Sequence, residues 1–125
     1  MTRGRPVVLV ADDDDDILAL VSVSLARAGY EVITARDGIE ALAAAQRQPP
    51  DIAVIDVMMP RMDGHELVRR LRSSAATASI PILVLTAAVH DRVAEASVTA
   101  GADGHVRKPF SPRDLVARLD ELLGR

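Results

Sequence analysis

Val7-Val8-Leu9-Val10-Ala11 is an apolar, largely β-branched run with no polar alternation, and aspartates stop it abruptly. Both of its faces need covering, as in a strand of a parallel sheet. Comparable runs predict strands over 30–35, 52–56, 80–85 and 105–107, the last weak in strand propensity. Between them the apolar spacing changes to that of helices. Ile17, Leu18, Val21 and Leu25 share one face, and Gly29 follows as a left-handed terminator. A second helix starts near Asp37 as N-cap and runs to Gln48, where Pro49-Pro50 forbids continuation. The third follows Gly64, with Leu67, Val68 and Leu71 inward and Arg69, Arg70 and Arg72 outward. In the fourth, over 89–100, an inward row of Val89, Val93, Ala96 and Ala100 buries little area, which predicts the loosest helix. The fifth has Ser111 as N-cap, Pro112 at its first position and Asp114 in its first turn. Leu115, Val116, Leu119, Leu122 and Leu123 then follow at core spacing.

Five strands alternating with five helices imply right-handed βαβ units and a doubly wound parallel sheet with helices on both faces. A polar site then belongs at the carboxyl ends of the strands, where the strand order reverses. The 125 residues predict one domain, 1–125, with its core over about 7–123. At 49% apolar and 26% charged, the composition is that of a folded globular chain rather than a disordered one. The net charge of -3 hides an asymmetry: Asp12 to Asp16 hold five of the 18 acids, leaving 13 against 15 basic residues. Acidity is therefore local. No apolar run exceeds five residues and the opening lacks a signal-peptide core, which argues against membrane insertion and export. The absence of Cys removes disulfides, thiolate metal sites and thiol nucleophiles, and makes the cytoplasm the expected compartment. With Tyr30 and Phe110 the only aromatics, and the basic residues scattered, direct nucleic-acid binding is not expected.

Strand one ends in Asp12-Asp13, strand three in Asp56, strand four in Thr86, and strand five is followed by Lys108. Taken singly, each has an ordinary explanation. An acidic run before a helix is usually a solvated first turn, a fate assigned here to Asp14, Asp15 and Asp16. An Asp closing a strand is usually a turn-former, a Thr there a loop residue, and a Lys before Pro a surface charge. Together, on one sheet edge, they describe a cradle for a phosphoryl group. Three crowded carboxylates need a cation, and an all-oxygen set favours a hard ion such as Mg²⁺ over zinc. Lys108 adds one positive charge, expected to serve one partner at a time.

The segments Val8 to Asp14, Asp51 to Gly64, Pro81 to Ala87 and Lys108-Pro109-Phe110 resemble the receiver domain of two-component response regulators, in order and over nearly the whole chain. The resemblance implies a flavodoxin-like sheet of order 2-1-3-4-5, with Asp12, Asp13 and Asp56 converging. It implies Asp56 as phosphoacceptor. Asp13, Asp56 and the backbone carbonyl of Met58 would hold Mg²⁺, and Asp12 would act largely through a bound water. Thr86 and Lys108 would each bind a phosphoryl oxygen, and Lys108-Pro109 is a bond the family often makes cis. Position 105, often Tyr or Phe in receivers, is His105 here. It is expected either to move with Thr86 as a switch or to be an exposed strand residue without duty. Met58 and Ala88 offer no side-chain hydrogen bond to an attacking water, which predicts slow loss of the phosphoryl group.

The implied partner is a histidine kinase or histidine phosphotransfer protein, with the output partner undefined. The fifth helix resembles that of receivers that dimerise through the fourth helix, strand five and the fifth helix, although Gly104 replaces an acidic residue many of them carry. A homodimer is thus a further expectation. The implied role is signalling, not enzymatic turnover. Two rivals stand beside it: an Mg²⁺-dependent aspartate-nucleophile phosphatase, which places a second Asp where Met58 stands, and an adaptor that is never phosphorylated.

Overall fold

A computed structural model describes residues 4–87, 96 and 100–125 of the chain. Its elements are β1 (Val7–Ala11), α1 (Asp15–Arg27), β2 (Glu31–Ala35), α2 (Gly38–Arg47), β3 (Ile52–Asp56), α3 (Gly64–Arg72), β4 (Ile82–Thr86), β5 (Gly104–Arg107) and α4 (Pro112–Leu123). The strands form one sheet of order β2-β1-β3-β4-β5, with every neighbouring pair parallel. This is the doubly wound order expected. The helix expected over 89–100 falls largely outside the described residues, as do Ala88 and His90. Of its inward row, Ala100 is helical and buried, whereas Ala96 is helical and exposed.

The continuous apolar runs are explained by the two cores. Along the strands, alternate side chains enter opposite layers. Leu9, Ala53, Ile55, Ile82 and Val84 pack with Ala41, Ala44, Leu67, Val68 and Leu71 of α2 and α3. Val8, Val10, Val54, Leu83 and Leu85 pack with Leu18, Val21, Leu25, Leu115 and Leu119 of α1 and α4. β3 and β4 are buried throughout, so their register is fixed from both faces.

Element ends follow the local chemistry. Asp14, Asp37, Asp63 and Ser111 each cap a helix by accepting from backbone N–H groups of its first turn. Two predicted strand starts move inward. The Tyr30 N–H is taken by Leu25 at the end of α1, so pairing begins at Glu31. Pro81 has no N–H, so β4 begins at Ile82 rather than at residue 80. Tyr30 is fully buried, its Oη donates to Asp120 Oδ1 at 2.7 Å, and the Arg125 guanidinium lies 4.7 Å from its ring centroid.

Arg72 corrects the expected outward trio on α3. Arg69 and Arg70 do face solvent and pair with Glu66. The guanidinium of Arg72 instead turns under the sheet's entry loops, donating to the carbonyls of Gly101 (2.9 Å), Ala78 (3.1 Å) and Ile80 (2.6 Å) and to Asp103 Oδ2 (2.9 Å). Asp103 Oδ2 also accepts from the Ile82 N–H at 2.7 Å, which ties the start of β4 to the loop before β5. Gly101 has φ +117, and a Cβ there would lie 2.9 Å from Arg72 Cγ, so the loop's shape requires glycine. Because several carbonyls and a carboxylate would lose one shared donor, Arg72→Met is expected to destabilise the fold by about 2–3 kcal/mol. Urea unfolding checks this, and a loss near zero would show that water replaces the guanidinium.

Candidate functional site

The carboxyl edge of the sheet gathers the predicted residues from β1, β3, β4 and the segment after β5. Asp12 follows β1 directly, and its N–H donates to Ala35 O at 3.0 Å, extending the β1–β2 ladder by one bond. That bond fixes the backbone from which the fully buried Asp12 carboxylate projects. Asp12 Oδ1 accepts from the Asp14 N–H at 2.9 Å, while Oδ2 accepts from Lys108 Nζ at 3.0 Å. Asp56 is the last residue of the fully buried β3, and its carboxylate is nearly as enclosed. Asp13, next to Asp12, is exposed. Oxygens of Asp12, Asp13 and Asp56 lie within 4.8 Å of one another.

Lys108 binds this group differently from the expectation of one partner at a time. Its Nζ lies 3.0 Å from Asp12 Oδ2 and 3.3 Å from Asp56 Oδ1, so it bridges both buried acids. Its backbone N–H donates to Thr86 O at 2.8 Å, and the Lys108–Pro109 bond is cis, as the resemblance implies. Thr86 closes β4 and is buried beside this bond.

The electrostatics follow from burial. Desolvation raises the Asp56 carboxyl to about pH 6, with the Asp12 charge adding to the rise; Lys108 and the Met58 backbone N–H oppose it. Burial acts to lower the Lys108 ammonium, but the Asp12 hydrogen bond and the Asp56 and Asp12 charges outweigh it, leaving it raised. The site thus holds more negative charge than one ammonium balances, with an exposed carboxylate at its mouth. An all-oxygen donor set of this kind suits a hard divalent cation such as Mg²⁺.

The rest of the acidic run is structural, as expected for Asp14 to Asp16. Asp14 Oδ1 caps α1 through the Asp16 N–H at 2.9 Å, and Asp15 pairs with Arg36 at 3.0 Å on the surface. Met58 has an exposed side chain and lies two residues past Asp56, at the start of the loop that leaves β3. His105 stands apart from the acids. It is exposed on β5, in a groove it shares with Arg107, Asp114, Ala117 and Arg118.

Two contacts went unnoticed in the sequence. Gly64 lies so close to β3 that a Cβ would overlap Asp56 O and sit 2.8 Å from Val57 Cα, so only glycine lets α3 start directly behind the acid. Arg61, with φ +66, donates from Nε to Asp37 Oδ2 at 3.2 Å and forms an ion pair with the same oxygen through Nη2. The Glu40 N–H and then Arg61 hold the Asp37 carboxyl below its ordinary range. Asp37 had an evident role as a helix cap, but its partner lies 24 residues away and nothing in the linear pattern points to it.

Comparison with known proteins agrees with this geometry. The family model described as the response regulator receiver domain matches residues 8–120. The response regulator MprA of Mycobacterium leprae is 47% identical over 120 residues, covering 94% of this chain and 51% of that protein. The chain spans about half the length of the curated relatives it matches. Among solved structures, the chemotaxis protein CheY4 of Vibrio cholerae superposes with a TM-score of 0.91 at 39% identity, covering 95% of this chain and 99% of that one. The receiver domain of a sensor histidine kinase from Pseudomonas aeruginosa, solved with a magnesium ion coordinated in its active site cleft, gives 0.89 at 28% identity, covering 98% and 100%. A buried acidic pair bridged by lysine, on a sheet of order β2-β1-β3-β4-β5, therefore has a family to which it answers, and this chain belongs to the response regulator receiver domains of two-component signalling.

Proposed function

We propose that this chain accepts a phosphoryl group on Asp56 from a histidine kinase or histidine phosphotransfer protein and thereby changes a partner-binding surface. The observation that carries the reading is Lys108 Nζ bridging the buried Asp12 and Asp56 with the exposed Asp13 beside them. Asp13, Asp56 and the Met58 carbonyl would hold Mg²⁺, with Asp12 acting through water. The bound cation would neutralise charge on the incoming phosphate. The receiver with magnesium in its cleft supports that choice of ion.

Each side chain then has a task. Asp56, fixed at the end of a buried strand, presents a carboxylate oxygen to phosphorus; the new P–O bond forms as the donor's P–N bond breaks and its imidazole leaves. Lys108 stabilises charge on the transferring group and exchanges its Asp56 contact for a phosphoryl oxygen. Thr86 takes another. His105 follows Thr86 as the switch residue on β5, and the surface around β5 and α4 serves a downstream partner or a second copy. The same groups assist gain and loss of the phosphoryl group, so the chain signals rather than turning over a substrate.

The phosphatase rival is disfavoured by Met58, an exposed thioether where that chemistry needs a second carboxylate. The adaptor rival leaves the complete set of Asp12, Asp13, Asp56, Thr86 and Lys108 without a reason. Action in the cytoplasm is part of this reading; no helix among the described residues is long and apolar enough to cross a membrane.

Treatment with acetyl phosphate and Mg²⁺ is expected to add one phosphoryl group by intact mass, and Asp56→Asn to abolish it. Label that survives the substitution would assign the chemistry elsewhere. Calorimetric titration of Asp13→Ala is expected to show Mg²⁺ affinity reduced at least about tenfold. Its metal-free fold should be unharmed or firmer, because a crowded like charge is gone.

The raised carboxyl of Asp56 also sets a pH dependence. A folded-state value of about 6 exceeds the unfolded value, so the proton is bound more tightly in the folded chain. That contribution is complete below the unfolded value and is lost as pH rises through about 6. In chelator, the melting temperature is expected to rise as pH falls from about 7.5 to about 5, and to rise less in Asp56→Asn. Parallel curves for the two proteins would contradict the assignment.

A further inference from the structure

We propose that Arg61 is a positioning residue of the acidic site, acting through Asp37 to fix the loop that carries Met58 away from Asp56. The inference deepens the phosphoacceptor reading and rests on it for the consequence at the metal, though not for the contact itself.

The loop between β3 and α3 must leave the buried Asp56, place Met58 beside it and return at Gly64. Its two ends are firmly held. The Val57 N–H donates to Leu85 O at 3.0 Å, and the Gly64 N–H donates to Val57 O at 2.9 Å. Met59 packs into the core between α2 and α3. The apex beyond it has a turn bond, Met62 N–H to Pro60 O at 2.7 Å, which shapes the loop without fastening it to anything else.

Arg61 supplies the fastening. Its left-handed φ of +66 is unusual for a residue with a Cβ. Its backbone is thus kept in a disfavoured region while its guanidinium pairs with the nearly buried Asp37. Directly after Asp37, Gly38 lets the start of α2 close on Met62: a Cβ at Gly38 would lie 2.6 Å from Met62 Cβ and would overlap Met62 O. The loop apex and the start of α2 therefore meet through an ion pair and a close backbone approach on consecutive residues.

The placement matters because of the strand order. Asp37 follows β2, Arg61 follows β3, and β1 lies between these strands. Ala35, two residues before Asp37, accepts from the Asp12 N–H. The Arg61–Asp37 pair thus links the backbone that supports Asp12 and Asp13 to the loop that carries Met58. Lys108 joins the same two groups of residues directly, Asp12 to Asp56. Fixing the spacing from both sides keeps the carboxylates and the Met58 backbone at one separation, which a hard cation with strict distances requires.

The test uses Arg61→Gly, which keeps the φ accessible and removes only the side chain, together with Arg61→Lys and Asp37→Asn. Asparagine still caps α2 but carries no charge for Arg61. Hydrogen exchange by NMR in metal-free protein is expected to show the Met58 amide exchanging about tenfold faster in Arg61→Gly, with α3 amides unchanged. Asp37→Asn should move the same amide in the same direction. In the Mg²⁺ titration of acetyl phosphate labelling, the midpoint should rise about tenfold in Arg61→Gly, with the rate at saturating Mg²⁺ retained and Arg61→Lys recovering most of the affinity. An unchanged Met58 amide in folded Arg61→Gly overturns the proposal, and so does faster exchange spread throughout α3. Failure of the parent protein to bind Mg²⁺ would instead count against the phosphoacceptor reading, leaving the metal-free exchange to judge Arg61.

Discussion

Repulsion between carboxylates at the carboxyl edge of the sheet is the constraint around which the molecule is arranged. Asp12 and Asp56 are buried with neighbouring backbones on adjacent parallel strands, a costly juxtaposition unless a cation is held between them. Lys108 supplies that cation from the far side of β4, and its backbone is held by Thr86, the end of β4 itself. The sheet order is therefore more than a scaffold. It delivers two acids from the centre and their counter-ion from the edge to one point, and leaves an excess of negative charge that a hard cation can satisfy.

Much of this was legible because the chain punctuates itself. β1, β3 and β4 are short apolar runs ended or followed at once by a polar residue, and Asp37 and Ser111 cap their helices in the expected places. Asp12, Asp13, Asp56, Thr86 and Lys108 could be assigned to one edge because strand polarity is a local property and parallel order follows from the alternation of elements. Strand starts shifted at Tyr30, whose N–H turns back to Leu25, and at Pro81, which has no N–H to give, since periodicity records neither which carbonyl an amide will choose nor where one is missing.

Arginines were the least legible. Arg72 occupies a helical position that sequence spacing assigns to solvent, yet its guanidinium spans carbonyls from two loops that only the folded sheet brings together. Arg61 sits in a loop whose pattern says nothing of Asp37. A long side chain with several donors answers to acceptors in space, and those acceptors are backbone atoms with no signature in the amino-acid code. Lys108 shows the same limit on a smaller scale: its place was evident, its double engagement was not.

Tyr30 has a consequence for how this molecule can be observed. The chain contains one tyrosine and no tryptophan, so its near-ultraviolet absorbance and its fluorescence come almost wholly from that ring. The ring lies before β2, at the amino edge of the sheet, locked to Asp120 and covered by Arg125. About five strand residues, on the order of 17 Å, separate that edge from the acids. Burial and the Asp120 bond also push its hydroxyl up to about 12, so tyrosinate forms late while the fold persists. The native spectrum is a gauge of whether α4 remains docked on α1 and β2, and the chemistry at the opposite edge is nearly invisible to it.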